Sequence, residues 1–386
     1  RNKLSLREWV MKLYFYLISS SSRLVISQPY LRWNEVIQMS WKIRKIGIFE
    51  NFNQDFHLYY EVDFAKRIEL FQNLAGNFHD NIFYKLLPIL LPSCYLECYE
   101  DIEVLSKRFN SLNVKHLFTS TSLLYSNPVI RVYLSNRINI EIHNRFHGGG
   151  YRIFKNYWSE RYEKSISTKC YTFGNPFKEE DQSTFLSPNI SLKNIKKKKN
   201  INVLVLLSSS PKYVTGFHGY PVSSRSRKWD RETFNFLKEI QNIKLTIKLP
   251  TDLGWANEFN NQIKKIAKCK GYDFVKTQNS GIELIKKSNL VIFNAVGTGF
   301  LESLGMNIPT ICIYDKDTYT FNEKFMNYVE KFKRHKIIHN STNSICSFLD
   351  EINGDYKTWW SNEDLQKILR EFQMDYYQID IDWKKN

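Results

Sequence analysis

The stretch from Ser288 to Tyr314 constrains the fold more than any other part of the chain. Leu290 to Phe293 is an apolar run whose length and β-branched content fit a strand buried on both faces. Asn294 to Gly299 follows as a loop of small residues. Phe300 to Met306 then has helical spacing, with Phe300, Leu301 and Leu304 on one side. Asn307-Ile308-Pro309 stops that helix, and Thr310 to Tyr314 begins a second buried strand. Together they predict a βαβ unit whose loop delivers Gly297, Thr298 and Gly299 to a helix N-terminus. Backbone N–H groups and the helix dipole favour an anion such as a phosphate there. The glycine spacing matches neither the dinucleotide nor the Walker pattern, so an unliganded βαβ turn competes with this reading.

The rest of the C-terminal half repeats the alternation. Ile201 to Leu207 reads as a central strand ending in Ser208, Ser209, Ser210 and Pro211, a small polar cluster at a strand's C-terminal edge. A long loop is expected up to Trp229. Its His218, Arg225, Arg227 and Lys228 suit a lid over a phosphorylated ligand, or simply an exposed basic surface. A helix over Arg231 to Glu239 and a strand over Leu245 to Leu249 bring Lys248 and Asp252 to the same edge, Lys248 as a phosphate partner and Asp252 as a loop acid or turn former. Helix, strand and helix follow at Phe259 to Lys270, Tyr272 to Val275 and Gly281 to Lys287. This succession predicts an α/β fold with a doubly wound parallel sheet. Glu302, one turn into the helix after the glycine loop, is placed to accept hydrogen bonds from ribose hydroxyls. Its plain alternative is to face the helix dipole.

The first half is less regular. Leu24 to Ser27 and Ile46 to Phe49 suit short strands, and Glu61 to Leu74 and Tyr99 to Phe109 suit helices. Glu97, shortly after Pro92, is a candidate base or else a surface or capping residue. Val114 to Phe118 and Ile138 to Ile142 read as strands around a helix over Asn127 to Asn136. The second strand runs into His147-Gly148-Gly149-Gly150-Tyr151. Three consecutive glycines cost backbone entropy, so they are expected where φ must be positive or where a ligand approaches the backbone. His147 is the leading catalytic candidate, because imidazole exchanges protons near neutral pH, and Tyr151, Arg145 and Arg152 thicken the cluster. A helix over Tyr157 to Ser167 follows. The polar stretch Lys178 to Asn200, ending in a lysine run, is the best boundary. The expected organisation is an N-terminal α/β domain at 1–177, a basic linker at 178–200, a nucleotide-binding Rossmann-like domain at 201–320, and a helical segment at 321–386 packing across both through Trp359, Trp360, Phe372, Tyr376 and Tyr377.

Charge narrows the partners. The 55 Lys and Arg against 39 Asp and Glu give a net +16, suited to phosphorylated ligands, anionic lipid or nucleic acid. The basic residues are dispersed and the aromatics sit in core-like positions, which argues against a nucleic-acid binder. Six cysteines without a paired framework fit a reducing cytoplasm. Cys94 and Cys98 lack a second pair for a zinc site, so no metal is expected. No apolar run approaches the roughly 18 residues of a spanning helix, and no cleavable signal is visible in a chain that begins at Arg1.

The chain resembles the GT-B glycosyltransferases, which place two Rossmann-like domains on either side of a cleft. The resemblance sharpens at His147-Gly148-Gly149-Gly150-Tyr151, with Tyr171-Thr172-Phe173-Gly174 downstream and Thr298-Gly299-Phe300-Leu301-Glu302-Ser303-Leu304 before Ile308-Pro309-Thr310. These segments are similar to a bacterial family of sugar transferases from surface-polysaccharide loci, more distantly akin to capsular Kdo transferases. The likeness spans roughly residues 85 to 320. It departs at Leu249-Pro250, where Kdo and sialic acid transferases often carry His-Pro, and at Phe173-Gly174-Asn175, where a tryptophan-flanked glycine fits better. It implies a nucleotide-sugar donor, CMP-, UDP- or GDP-linked, bound as substrate with no tightly held cofactor and no metal. His147 or Glu97 would be the base. Gly297, Thr298, Gly299 and Lys248, with Ser209 and Ser210, would hold phosphate, and Glu302 ribose. Gly148, Gly149, Gly150, Tyr151, Arg225 and Asp252 would line the acceptor side. The acceptor would be a glycan, a lipid-linked molecule or a protein, met in the cytoplasm or at the anionic inner face of the membrane. The competing classes are a CDP-glycerol-type polyol-phosphate transferase and a non-catalytic nucleic-acid binder.

Overall fold

A computed structural model describes residues 24–27, 47–49, 61–75, 82–107, 114–120, 128–135, 140–175, 181–183, 200–208, 223–250, 256–275, 280–314 and 320–377. The chain divides into two compact units, residues 1–145 with 166–169, and residues 146–165 with 170–386.

In the first unit, strands β1 (Leu24–Ser27), β2 (Gly47–Phe49), β3 (His116–Thr119) and β4 (Glu141–Arg145) lie in the order β2-β1-β3-β4, with every pair parallel. Helices α1 (Phe64–Ala75), α2 (Ile82–Leu90), α3 (Tyr99–Lys107) and α4 (Pro128–Ser135) accompany them. Val25 and Leu117 from the sheet meet Ile102, Ile130 and Tyr133 from the helices in one apolar core.

Helix α5 (Trp158–Ile166) and the parallel pair β5 (Lys169–Thr172) and β6 (Asp181–Ser183) come next, and all of their residues but Ile166 and Lys169 belong to the second unit. Its main sheet is built from β7 (Ile201–Leu206), β8 (Leu245–Lys248), β9 (Asp273–Phe274), β10 (Ser288–Phe293), β11 (Thr310–Ile313) and β12 (Ile338–His339) in the order β12-β11-β10-β7-β8-β9. All five neighbouring pairs are parallel. This is the Rossmann strand order, with its switch point between β7 and β10, where open α/β sheets form their ligand crevice. The apolar runs of these strands have a direct cause. Along β10 and just beyond β11, Val291, Phe293, Cys312 and Tyr314 face one core while Leu290, Ile292, Ile311 and Ile313 face the other. Both faces are covered, so neither can be polar.

Helices α6 (Ser223–Glu239), α7 (Ala256–Lys270), α8 (Gly281–Lys286), α9 (Thr298–Gly305), α10 (Glu323–Arg334), α11 (Thr342–Ile352), α12 (Tyr356–Trp360) and α13 (Glu363–Tyr376) complete the unit. The expected loop does not run to Trp229, and its His218 lies outside the described residues. Helix α6 already begins at Ser223, so Arg225, Arg227 and Lys228 are helical residues, and the buried Trp229 anchors the helix through its indole N–H on the Asn294 carbonyl.

The units also divide the chain differently from the expected boundary at residue 177. The segment carrying the three glycines belongs with the C-terminal unit, because its neighbours are there. Asn175 donates its N–H to the Met374 carbonyl at 2.9 Å. The Arg152 carbonyl accepts from the Asn322 side chain. Gly174 has φ +69°, and a Cβ on it would lie 2.4 Å from the Asp375 carbonyl oxygen. The C-terminal helices therefore hold both the sequence's first-half motif and, through Gln373 to the Leu304 carbonyl at 3.0 Å, the end of α9.

Candidate functional site

The three glycines work by what they leave out. None of Gly148, Gly149 or Gly150 has a positive φ; the left-handed residue of this turn is Arg152, at φ 64°. A Cβ on Gly149 would sit 2.4 Å from the backbone nitrogen of Thr298, and one on Gly150 would lie 2.5 Å from the Tyr157 ring. Backbone thus packs directly on backbone, and the Gly149 N–H donates to Thr298 Oγ1 at 2.9 Å. Arg152 is held in its strained conformation from several sides. Its N–H donates to Glu160 at 2.8 Å, and its guanidinium donates to the carbonyls of Phe173 and Asn175. That guanidinium serves the turn.

Docking the turn on the loop makes a cavity lined by His147, Gly148, Gly149, Tyr151, Thr298 and Glu302, with Phe146, Phe173, Leu301, Tyr376 and Tyr377 as aromatic and apolar walls. It encloses about 490 Å³ including its open mouth. Gly297 is the extended N-cap residue of α9, and no side chain caps that end. The first backbone bond of the helix, from Leu301 N–H to the Gly297 carbonyl, leaves the N–H groups of residues 298 to 300 outside the helical ladder.

Two titratable groups give the cavity its chemistry. Tyr151 donates its hydroxyl proton to Glu163 at 2.9 Å and stands 3.0 Å from His147 Nδ1. A phenol has one proton, so the His147 bond runs from Nδ1–H to the tyrosine oxygen, which makes Nε2 the basic nitrogen of the neutral ring. Glu163, buried on α5, anchors this relay. Glu302 is different. Burial pushes its carboxyl up to about 7, and among the described residues no side chain hydrogen-bonds or ion-pairs with it. At the switch point, Asn294 clamps β7 to β10 by accepting from Ser208 N–H at 2.8 Å and donating to the Ser208 carbonyl at 2.9 Å.

The other expected residues fall elsewhere. Lys248 ends β8 and is not among the cavity's lining residues; burial lowers its pKa. Gly299 lies in the first turn of α9, where a Cβ would touch the Phe293 ring at 3.0 Å. Ser209, Ser210 and Asp252 lie outside the described residues, as does the side chain of Arg225. Glu97 lies in the first unit, locked to Arg67 by two bonds of 2.6 Å, with the Asp63 N–H as a further donor. The Arg67 hydrogen bonds hold its carboxyl at about 2, which makes it a poor proton acceptor near neutral pH. Glu163 and Asn294 escape a sequence reading as site residues, and Tyr376 and Tyr377, expected as packing anchors, also wall the cavity. Glu163 sits in a charge-rich helix that looks solvent-facing, and nothing in its neighbours marks it as buried.

A family model for LIC12162 family transferases matches residues 1–386. No curated protein matches the chain in sequence. Among solved structures, the chain is similar to the UDP-GlcNAc 2-epimerase of Methanocaldococcus jannaschii, at 10% identity over 90% of this chain and 99% of that one, with a TM-score of 0.48. It is similar to a UDP-forming trehalose-phosphate synthase from Burkholderia xenovorans, at 10% identity over 91% and 96% of the two chains, with a TM-score of 0.48. MurG of Acinetobacter baumannii matches at 8% identity over 91% and 99%, with a TM-score of 0.42. These are distant likenesses, and the chemistry of the site is read from its own residues.

Proposed function

The chain belongs to the LIC12162 family of transferases, and on that premise we propose that its second unit binds a nucleotide-activated sugar and passes the sugar to a hydroxyl of a glycan, lipid-linked or protein acceptor. The observation that carries this reading is the Gly149 to Thr298 contact. It places a histidine of defined tautomer and an uncompensated glutamate in one cavity beside a helix N-terminus. The N–H groups of α9 receive the donor phosphate, where an anion is favoured by both hydrogen bonding and the dipole. Glu302 accepts from the ribose hydroxyls, which stabilise its ionised form and draw its pKa down. His147 Nε2 takes the proton of the acceptor hydroxyl as the acceptor oxygen replaces the phosphate oxygen at the anomeric carbon. Charge builds on the departing phosphate, where the loop N–H groups already point. This assignment uses no metal ion.

Calorimetric titration of the full chain with CMP, UDP, GDP and CDP-glycerol identifies the nucleotide; tightest binding of CDP-glycerol would favour polyol-phosphate transfer. Affinity for the preferred nucleotide should rise as pH increases through about 7, because binding favours ionised Glu302. Glu302→Ala should weaken nucleotide binding. His147→Ala should leave that binding intact while lowering donor turnover by about 10²–10⁴. Unchanged turnover in both variants would refute the site.

A further inference from the structure

The first sheet carries a second cluster that the transferase chemistry does not use. Glu141 and His143 are two apart on β4 and so project from the same face, and His116 on β3 is the register partner of Glu141. The alternate residues Leu117 and Ile142 face the apolar core on the other side. Glu141 Oε2 lies 3.2 Å from His116 Nδ1 and 3.3 Å from His143 Nε2. The two imidazole rings are 5.6 Å apart, and the three donor atoms all fall within 4.8 Å of one another.

We infer that His116, Glu141 and His143 form a binding site for one zinc-class divalent cation, which joins β3 to β4. Two imidazoles and a carboxylate are a donor set for such a metal, and ligand bonds of about 2.0–2.1 Å in a tetrahedron put donor atoms roughly 3.3 Å apart. The separations of Glu141 Oε2 from the two histidine nitrogens, 3.2 and 3.3 Å, match that edge. Lys169, the charged group that acts on both Glu141 and His143, opposes a cation and sets the affinity below that of a fully anionic site. The cluster stands at the N-terminal ends of β3 and β4, whereas parallel sheets hold their substrates at the opposite ends of their strands. Its role is to fasten the sheet, and the assignment does not rest on the proposed transfer reaction.

The test is titration of the metal-stripped full chain with Co²⁺, followed by absorption, and with Zn²⁺, followed by thermal unfolding. The expected result is saturation at one equivalent. The cobalt spectrum should show tetrahedral d–d bands without thiolate charge transfer, which separates this site from the chain's six cysteines. Zinc should raise the melting temperature. Glu141→Gln, which preserves size, and His143→Ala should each weaken cobalt uptake by at least about 10–100-fold. Circular dichroism of the metal-free variants confirms that they fold. No uptake, uptake with thiolate bands, or uptake unaltered in folded Glu141→Gln would overturn the site.

Discussion

Glu97 and Glu302 are glutamates with little access to solvent, one in each unit, and their surroundings drive them in opposite directions. Around Glu97, Arg67 supplies a planar fork, and the same guanidinium also donates to the carbonyls of Pro88 and Leu91 at 2.9 and 2.8 Å. The carboxylate is held at about 2 and its bonding capacity is spent inside the protein. Around Glu302 burial acts alone, and the carboxyl is held at about 7. Burial without a partner costs stability, so a fold keeps such a group where something else uses it. The difference separates a residue that holds its own unit together from one left without a side-chain partner among the described residues, for which a ligand is the proposed partner.

The largest effect should come from Glu97→Ala. It leaves Arg67, 3% exposed, without its counter-charge, and should cost roughly 3–5 kcal/mol in denaturant unfolding. A loss below 1 kcal/mol would put Glu97 back among the groups available for chemistry. Next comes the pH dependence of Glu302. Its raised pKa favours the native state fully below about 4.5, and that advantage is lost as pH rises through about 7; Glu97 contributes above about 4.5 and loses its contribution as pH falls toward about 2. Glu302→Gln should therefore match the wild type at pH 4.5 and exceed it by up to about 3 kcal/mol at pH 9. Equal stabilities at both pH values would show that Glu302 is not strained.

Gly149→Ala tests the contact that gives Glu302 its setting. The added Cβ meets backbone at 2.4 Å and has no flexible neighbour to displace, so about 1–3 kcal/mol of stability and most nucleotide binding should go together. Binding retained in the variant would separate the turn from the loop.

The second sheet was readable because its central strands are buried on both faces and therefore spelled as apolar runs at Ile201, Leu290 and Thr310, while β8 shows alternation through Leu245 and Ile247. The small-residue loop at Gly297 to Gly299 and the histidine before the three glycines stood out for similar local reasons. What escaped depends on distance in sequence or on packing. Arg67 lies thirty residues from Glu97, so the pair that defines that glutamate has no local signature. The glycines suggested unusual φ angles, yet their purpose is space for Thr298 and Tyr157. Helix α6 starts in a Ser-Arg-rich stretch that reads as loop until Trp229 is seen buried.

The smallest stability change, and the sharpest on mechanism, should come from Tyr151→Phe. The ring and its stacking on Phe146, with centroids 4.4 Å apart, remain, and only the hydroxyl between Glu163 and His147 is lost. Removing one such bond costs about 0.5–1.5 kcal/mol. The larger consequence is for the imidazole. Without an acceptor at Nδ1 the proton distributes over both ring nitrogens, so the population with a basic Nε2 falls and the ring loses its orientation. Turnover should drop with the nucleotide affinity unchanged, and the acidic limb of the pH–rate profile should shift. Glu163→Gln should produce a milder form of the same change, because an amide oxygen can still accept from the tyrosine. If Tyr151→Phe lost stability alone and kept its turnover and pH profile, the relay would belong to the structure of the turn, and His147 would be, like Glu97, a residue whose bonds serve its own unit.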